Sequence, residues 1–295
     1  MRYGRCAAYA YPRSSPEALV LCAQWIAWGF LLDDQHTRVL GLDAAAWAHA
    51  VARLRPSFTD TPAQQQTPEP ASTGFERATA DLCRRTRAVM SSSQWARFVD
   101  GVLRYIEGMR QECSLRHQER PTIEQYTAVR QLSVGLDFYV VLVELEEAVA
   151  LPAEVHTTEV WADVVSAISM TFAWSNDLVS HPAEDASGEI NNLVIVARQQ
   201  LGITTPQAID YAREHLTATM AAYRDAEWRL PRELAYAGAD PAHIQAAQRC
   251  ATSLRDVTDG CLAWCEETYR YQYHLDCAQG REREHESLLA PAGRR

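Results

Sequence analysis

Lysine is absent from this chain of 295 residues, so all 28 basic residues are arginine. Any contact to a phosphate must then come from a guanidinium, the backbone or a metal ion. Surplus positive charge is missing as well. The 38 acidic residues outnumber the basic ones, giving a net charge of -10 and a pI near 5.4, which excludes nucleic acid as a partner because binding its backbone relies on Lys and Arg excess. The eight cysteines (Cys6, Cys22, Cys83, Cys113, Cys250, Cys261, Cys265 and Cys277) include no CxxC pair and no Cys/His group at zinc spacing. Most fall on apolar helical stripes, where a reduced thiol behaves as a small hydrophobe. The start, Met1-Arg2-Tyr3-Gly4-Arg5-Cys6, lacks a secretory apolar core, and no run approaches the roughly 18 apolar residues of a spanning helix. A cytoplasmic protein without stable membrane insertion is expected. Strand-like alternation and internal repeats are absent too.

What remains is helical punctuation around a large apolar content. With 47% apolar and 22% charged residues, the chain can bury a sizeable core, and an all-α fold is expected. Ser14-Ser15-Pro16-Glu17 reads as a helix start with a Ser cap, Pro in the first turn and an early acid. The apolar run Leu19 to Leu32 continues it and is apolar nearly all round, which makes this helix central. Further helices are expected over Asp43 to Leu54, Glu76 to Met90, Ser93 to about Arg116 and Thr122 to about Ala150. The last of these is interrupted by Ser133, Gly135 and Asp137, and Gly in a helix interior costs about 1 kcal/mol relative to Ala. Thr157 to Glu184, Glu189 to Gln200, Thr205 to Trp228 and Pro241 to His274 complete the set. Ser57 to Gly74 reads as a polar loop. Residues 1-277 are expected to form one α-domain and residues 278-295 a loose tail.

Two stretches carry chemistry. In Asn176-Asp177-Leu178-Val179-Ser180-His181-Pro182-Ala183-Glu184, helical spacing puts Asn176, Ser180 and Glu184 at i, i+4 and i+8 on one face. An amide oxygen, a hydroxyl and a carboxylate are hard ligands that suit Mg²⁺ or Mn²⁺. The apolar helix also delivers Asp33-Asp34 at its far end, where two adjacent carboxylates are costly to bury unless a cation meets them. Taken singly, each stretch also fits an ordinary solvated helix face or terminus.

Together these residues resemble the bacterial class I terpene synthases along nearly the whole chain. Asp33-Asp34-Gln35-His36 looks like the aspartate-rich metal motif of that family, and Asn176, Ser180 and Glu184 match its second metal motif. Arg130, 46 residues before Asn176, matches the diphosphate-sensing arginine, and Arg270-Tyr271, following Trp264 and Thr268, matches the terminal Arg-Tyr pair. The resemblance implies a single helical bundle around an apolar cavity, in which a linear isoprenyl diphosphate, farnesyl diphosphate by preference, is ionised and cyclised with the help of three Mg²⁺ ions, Mn²⁺ being an alternative. It implies that Asp33, Asn176, Ser180 and Glu184 hold metal, that Asp34 bonds an arginine on closure, and that Arg130, Arg270 and Tyr271 grip the diphosphate. It further implies that Ser133 links Arg130 to the carbonyl of Val134, followed by Gly135, at the helix break. Trp25, Phe30, Phe138, Phe172, Trp174 and Trp264 are candidate cation-facing aromatics, with Gly29 leaving room for the chain. Family habit also implies a homodimer.

The chain departs from the family pattern at four places. Thr37 stands where a third acid is common, Ala183 where a base often precedes the final Glu, Pro182 sits inside the second motif, and the segment before Asp33 is short. Thr37, Ala183 and the short segment point to an alternative in which the same fold binds isoprenoids without turnover, but the intact Asn176, Ser180 and Glu184 triplet, Arg130 and the Arg270-Tyr271 pair put catalysis ahead of it. A chain-elongating prenyl synthase is disfavoured because the second motif is Asn176-Asp177, and a helical Mg²⁺ pyrophosphohydrolase leaves the apolar approach to Asp33-Asp34 unexplained.

Overall fold

The computed structural model describes residues 1–40, 43–59, 72–118, 120–282 and 288–289, and among them every regular element is a helix. They are α1 (Tyr3–Ala10), α2 (Pro16–Gln35), a π-helical turn (His36–Leu40), α3 (Ala44–Leu54), α4 (Pro56–Thr59), α5 (Gly74–Val89) and α6 (Ser92–Arg116). After these come α7 (Ile123–Ser133), α8 (Leu136–Glu146), α9 (Ala153–His156), α10 (Glu159–Ser187), α11 (Leu193–Leu201), α12 (Thr205–Tyr236), α13 (Pro241–Glu267) and α14 (Arg270–Ala278). The all-α expectation holds.

Most helix starts follow the sequence punctuation. Ser15 Oγ accepts from the Ala18 amide with Pro16 in the first turn. Thr73 with Glu76, Ser91 with Gln94 and Thr122 with Gln125 close reciprocal caps on α5, α6 and α7, each satisfying donors that a helix start leaves open. α2 is buried on most sides through Leu21, Cys22, Trp25, Ile26, Trp28 and Leu32, as its unbroken apolar run requires. A second, smaller cluster, including Tyr126, Trp174 and Leu193, joins α7, α10, α11 and α12.

Several expectations need correction. α1 was not foreseen; it packs on α2 and α13, and Tyr3 stacks on Phe30 at 5.4 Å. The expected helix Pro241 to His274 is two helices, because Thr268 turns extended (φ -83°, ψ 142°) and Arg270 opens α14. The helix expected over Thr157 to Glu184 is α10, which runs on to Ser187 with Pro182 inside it. The Leu178 carbonyl, deprived of its usual amide partner by that proline, lies 3.2 Å from His181 Nδ1. Thr205 to Trp228 extends to Tyr236 through Pro231. In the expected loop Ser57 to Gly74, residues 60–71 lie outside the described residues, and its flanks are the α4 turn and the Thr73 cap. In the segment expected to be a loose tail, Leu288 N donates to Gln35 Oε1 at 2.7 Å and Leu289 is buried in the main core.

The break between α7 and α8 is where it was expected and has a steric cause. Gly135 has φ +71°, and a Cβ there would sit 2.8 Å from the Tyr105 ring, so a side chain is excluded by both backbone and space. α6 passes close behind: at Gly108 a Cβ would lie 2.4 Å from Ser133 N and 2.7 Å from the Leu132 carbonyl carbon. The broken backbone therefore rests on the bare flank of α6.

Candidate active site

α2 ends by presenting its two carboxylates to α14. Arg270, buried, donates from Nη2 to Asp33 Oδ2 at 2.9 Å and to Asp34 Oδ1 at 2.8 Å. His274 Nε2 lies 3.1 Å from Asp34 Oδ1. Burial alone would raise the Asp34 carboxyl, but the Arg270 guanidinium and the His274 hydrogen bond hold it below the usual range. For half-buried Asp33 the balance goes the other way, burial outweighing Arg270, with the Asp34 charge adding to the upward push. The π-helical turn follows at once, a local irregularity of the kind often found beside functional sites.

α10 carries the second set. Asn176, Ser180 and Glu184 lie along the side of α10 that lines a polar chamber opposite α2. Arg130, from the last turn of α7, donates from Nη2 to Asn176 Oδ1 at 2.7 Å and to Asp177 Oδ1 at 2.8 Å. Asn176 Nδ2 donates to Tyr271 Oη at 3.1 Å. Ser180 Oγ donates to the Asn176 carbonyl at 2.9 Å, and Glu184 Oε2 accepts from Asn192 Nδ2 at 2.8 Å. Burial, followed by the Asp177 charge, pushes the Glu184 carboxyl up to about 8. Asp177 is fully engaged inward by the Tyr126 hydroxyl at 2.6 Å, the Leu193 amide at 2.9 Å and Arg130.

This donor set fits a hard divalent cation. The Ser180 proton is committed to a carbonyl, which leaves the oxygen lone pairs for a ligand, and Glu184 is a partly buried carboxyl short of positive charge. No group of three or more His, Cys, Asp or Glu side chains forms a metal cluster among the described residues, so a cation here would rely on mixed amide, hydroxyl and carboxylate oxygens.

Two connected spaces meet at these residues. The polar chamber, about 1390 Å³ with its open mouth, is lined by both aspartates, the α10 triplet, Arg130, Arg270 and Tyr271. Below it an apolar chamber of about 700 Å³, mouth included, runs between α2, α8 and α13. Phe30, Asp33, Arg130 and Asn176 line both. Among the candidate aromatics, Phe30, Phe138 and Phe172 line the apolar chamber. Trp264 does not. It packs behind Phe30 at 5.0 Å and beside Tyr3 at 5.8 Å, one layer back. Trp25 and Trp174 are core residues, the first among Trp28, Phe98 and Phe138, the second against Tyr126. Gly29 does line the chamber, but the space beside it is taken by the Tyr139 hydroxyl, 2.7 Å from where a Cβ would be.

The residues at the helix break, Ser133, Val134 and Gly135, all line the apolar chamber. Ser133 does not bridge to the Arg130 side chain, whose bonds go to Asn176 and Asp177; its hydroxyl lies beside the Glu112 carboxyl instead.

Sequence reasoning passed over several site residues. Tyr105 and Tyr139 line the apolar chamber, and the aromatic doublet Phe138-Tyr139 just past the break was a usable signal for one of them. Arg116 spans Glu189 at 2.7 Å and Glu112 at 3.8 Å on the polar wall. Burial pushes Glu112 up to about 7 and drives His36, 3.6 Å from it, down to about 3. Asp177 sat in plain view inside the second motif, but its inward direction is a property of helix phase against α7 and α11.

Comparison with known proteins agrees with this geometry. The family model described as terpene synthase family 2, C-terminal metal binding, matches residues 24–222. Pristinol synthase of Streptomyces pristinaespiralis is 28% identical over 275 residues, 92% of this chain and 73% of that protein. A (+)-T-muurolol synthase of Roseiflexus castenholzii is 32% identical over 215 residues, 72% of this chain and 64% of the relative. Germacradien-4-ol synthase from Streptomyces citricolor superposes with a TM-score of 0.77 at 25% identity, over 90% of this chain and 83% of that one. The matched span takes in Asp33-Asp34, the helix break and the whole α10 triplet, and with it a domain described as metal-binding; on that ground, and with the same helical architecture, the chain belongs to the terpene synthase family, in its bacterial class I form.

Proposed function

We propose that this protein ionises a linear isoprenyl diphosphate, farnesyl diphosphate first among them, and cyclises the resulting cation to a terpene hydrocarbon or alcohol with release of diphosphate. The observation that carries this reading is the pairing of a charged chamber with an apolar one, joined at Phe30, Asp33, Arg130 and Asn176. A substrate with an anionic head and a hydrocarbon tail is the shape that uses both. Relatives support the choice of farnesyl diphosphate, since the Roseiflexus protein is named for cyclising it.

In this reading Arg130 and Arg270 turn their fork-like donors to the diphosphate and the Tyr271 hydroxyl adds a further bond. Both arginines are now spent on carboxylate or amide oxygens, so substrate arrival requires them to exchange partners. Asp33, Asn176, Ser180 and Glu184 would hold divalent cations, Mg²⁺ in preference to Mn²⁺ and three in number. Those cations would neutralise the charge on the departing diphosphate. Asp34, gripped by Arg270 and His274, keeps the guanidinium aimed across the mouth. The tail lies against Phe30, Phe138 and Phe172, whose ring faces favour a positive charge in a space from which water is excluded. Residues 1-277 carry the catalytic residues, with Leu288 and Leu289 packed against the same core, and a homodimer is compatible with this arrangement.

The test is incubation with Mg²⁺ and, separately, geranyl, farnesyl and geranylgeranyl diphosphate, with organic extracts analysed by gas chromatography and mass spectrometry and Asn176→Ala as control. A cyclic product from one substrate, absent in the control, is the expected result. No product from any of the three would move the non-catalytic isoprenoid-binding reading ahead.

A further inference from the structure

Apart from the diphosphate end, the apolar chamber is lined by hydrocarbon, the Cys261 thiol, the helix-break residues Ser133, Val134 and Gly135, with the Ser133 hydroxyl beside Glu112, and two phenols, Tyr105 and Tyr139. Neither phenol is oriented at random. Tyr139 Oη lies 3.4 Å from the Trp25 carbonyl and Tyr105 Oη 3.5 Å from the Gly29 carbonyl, long contacts in which each hydroxyl proton points at the backbone of α2. With the proton turned away, the oxygen lone pairs are left for the chamber. Tyr139 reaches this position only because residue 29 is glycine: a Cβ on Gly29 would stand 2.7 Å from the Tyr139 hydroxyl and 4.0 Å from the Phe138 ring. The Tyr139 ring is held from the other side by Phe138, with centroids 4.2 Å apart. An oxygen dipole fixed in a medium of low polarity acts on a nearby charge more strongly than it would in water.

We propose that Tyr139, seated in the notch left by Gly29, is a product-determining residue. Its phenol oxygen attracts the positive charge of the cyclising cation toward the α2 wall and so selects which carbon loses its proton or takes up water. This inference rests on the synthase reading given above and goes further by naming the group that sets the outcome. It concerns the partition between products after ionisation, not ionisation itself, because Tyr139 lines the apolar chamber and not the polar one.

The experiment measures the ratio of the main product to the sum of all others, by gas chromatography, after incubation with farnesyl diphosphate and Mg²⁺, with diphosphate release followed in parallel. Three variants are compared with the unaltered chain. Tyr139→Phe removes the oxygen and keeps the ring. Gly29→Ala keeps the oxygen but displaces it. The double variant Gly29→Ala/Tyr139→Phe relieves the crowding. The expected result is a shift of at least three-fold in the ratio for Tyr139→Phe, a shift for Gly29→Ala, and a double variant that returns to the Tyr139→Phe ratio. A Tyr139→Phe ratio less than three-fold away from that of the unaltered protein would overturn the inference. So would loss of diphosphate release in a folded Tyr139→Phe, since the oxygen would then act on ionisation. If Gly29→Ala fails to fold, the Tyr139→Phe ratio decides alone. Absence of both diphosphate release and product in the unaltered protein would overturn the synthase reading and this inference together, whereas normal products at an unchanged ratio would overturn only this one.

Discussion

Replacing Gly108 by alanine tests the claim that α6 supports the break between α7 and α8. A methyl group at this position would meet Ser133 N at 2.4 Å, the Leu132 carbonyl carbon at 2.7 Å and Leu132 Cβ at 2.8 Å. Two of these atoms are backbone, so the contact cannot be relieved by rotating a side chain, and the segment must retreat by roughly 1 Å to reach ordinary van der Waals separation. Overpacking of this kind costs about 1–3 kcal/mol, and the backbone contacts place it near the upper end. Against this stands a gain of about 1 kcal/mol from replacing Gly in a helix. The net expectation is a loss of about 2 kcal/mol, a fall in Tm of roughly 3 °C for a chain of this size. Gly4→Ala is the control: it lies in α1 with nothing within 4 Å of its added Cβ, and should be neutral or raise Tm slightly. Because the displaced segment carries Arg130, a shift of this size should also lower kcat, by up to about 100-fold. Differential scanning calorimetry and steady-state diphosphate release read the two effects. A Gly108→Ala protein as stable as the parent would show that α6 does not brace the break, and the packing argument would fail.

Other expectations follow from the same geometry. Asp177→Asn removes the charge that meets buried Arg130 and should destabilise by about 3–5 kcal/mol, seen as a lowered midpoint in urea. Glu184 and Glu112 have folded-state values of about 8 and about 7 against an ordinary 4.5. The stability tied to their protonated forms is therefore complete at low pH and lost as pH rises through 7 to 8. His36 and His274, driven down to about 3 and about 4, act oppositely and cost stability as pH falls below about 6.5. Tm without divalent cation should accordingly peak in mildly acidic solution, and Glu184→Gln should flatten its alkaline side; an unchanged alkaline slope would contradict this. Arg270→Lys keeps the charge but loses the planar guanidinium whose Nη2 bridges Asp33 and Asp34 while Nη1 lies beside His274, and should reduce kcat/KM at least ten-fold in the same diphosphate assay.

Helix identity was legible wherever a cap or an uninterrupted apolar run announced it. Ser15 with Pro16 and the Thr122 cap are local statements, and the structure follows them. α1 was not legible, because eight residues with a weak cap gain their stability from packing on α2 and α13, which no local pattern encodes. The Thr268 break was hidden for a similar reason: nothing in the residues around it is a helix breaker, and the turn serves to set Arg270 against α2. In the site, residues whose spacing defines a single helix face could be placed in advance. The chamber wall could not, since Tyr105, Tyr139 and Phe172 come from three helices and meet only through their crossing angles. Trp264 shows the limit from the other side, being the right residue type on a neighbouring helix but one packing layer too deep.

The stacking of Tyr3 on Phe30 bears on how the protein should be handled. Met1 stands two residues from a ring that touches the chamber wall, and its carbonyl accepts from the Thr268 hydroxyl at 3.4 Å, next to Arg270. An affinity tag or fusion partner joined at Met1 would therefore emerge beside the substrate entrance, where its bulk and its histidines could obstruct the site or compete for metal. Recombinant material intended for kinetics is better cleaved of such a tag before assay.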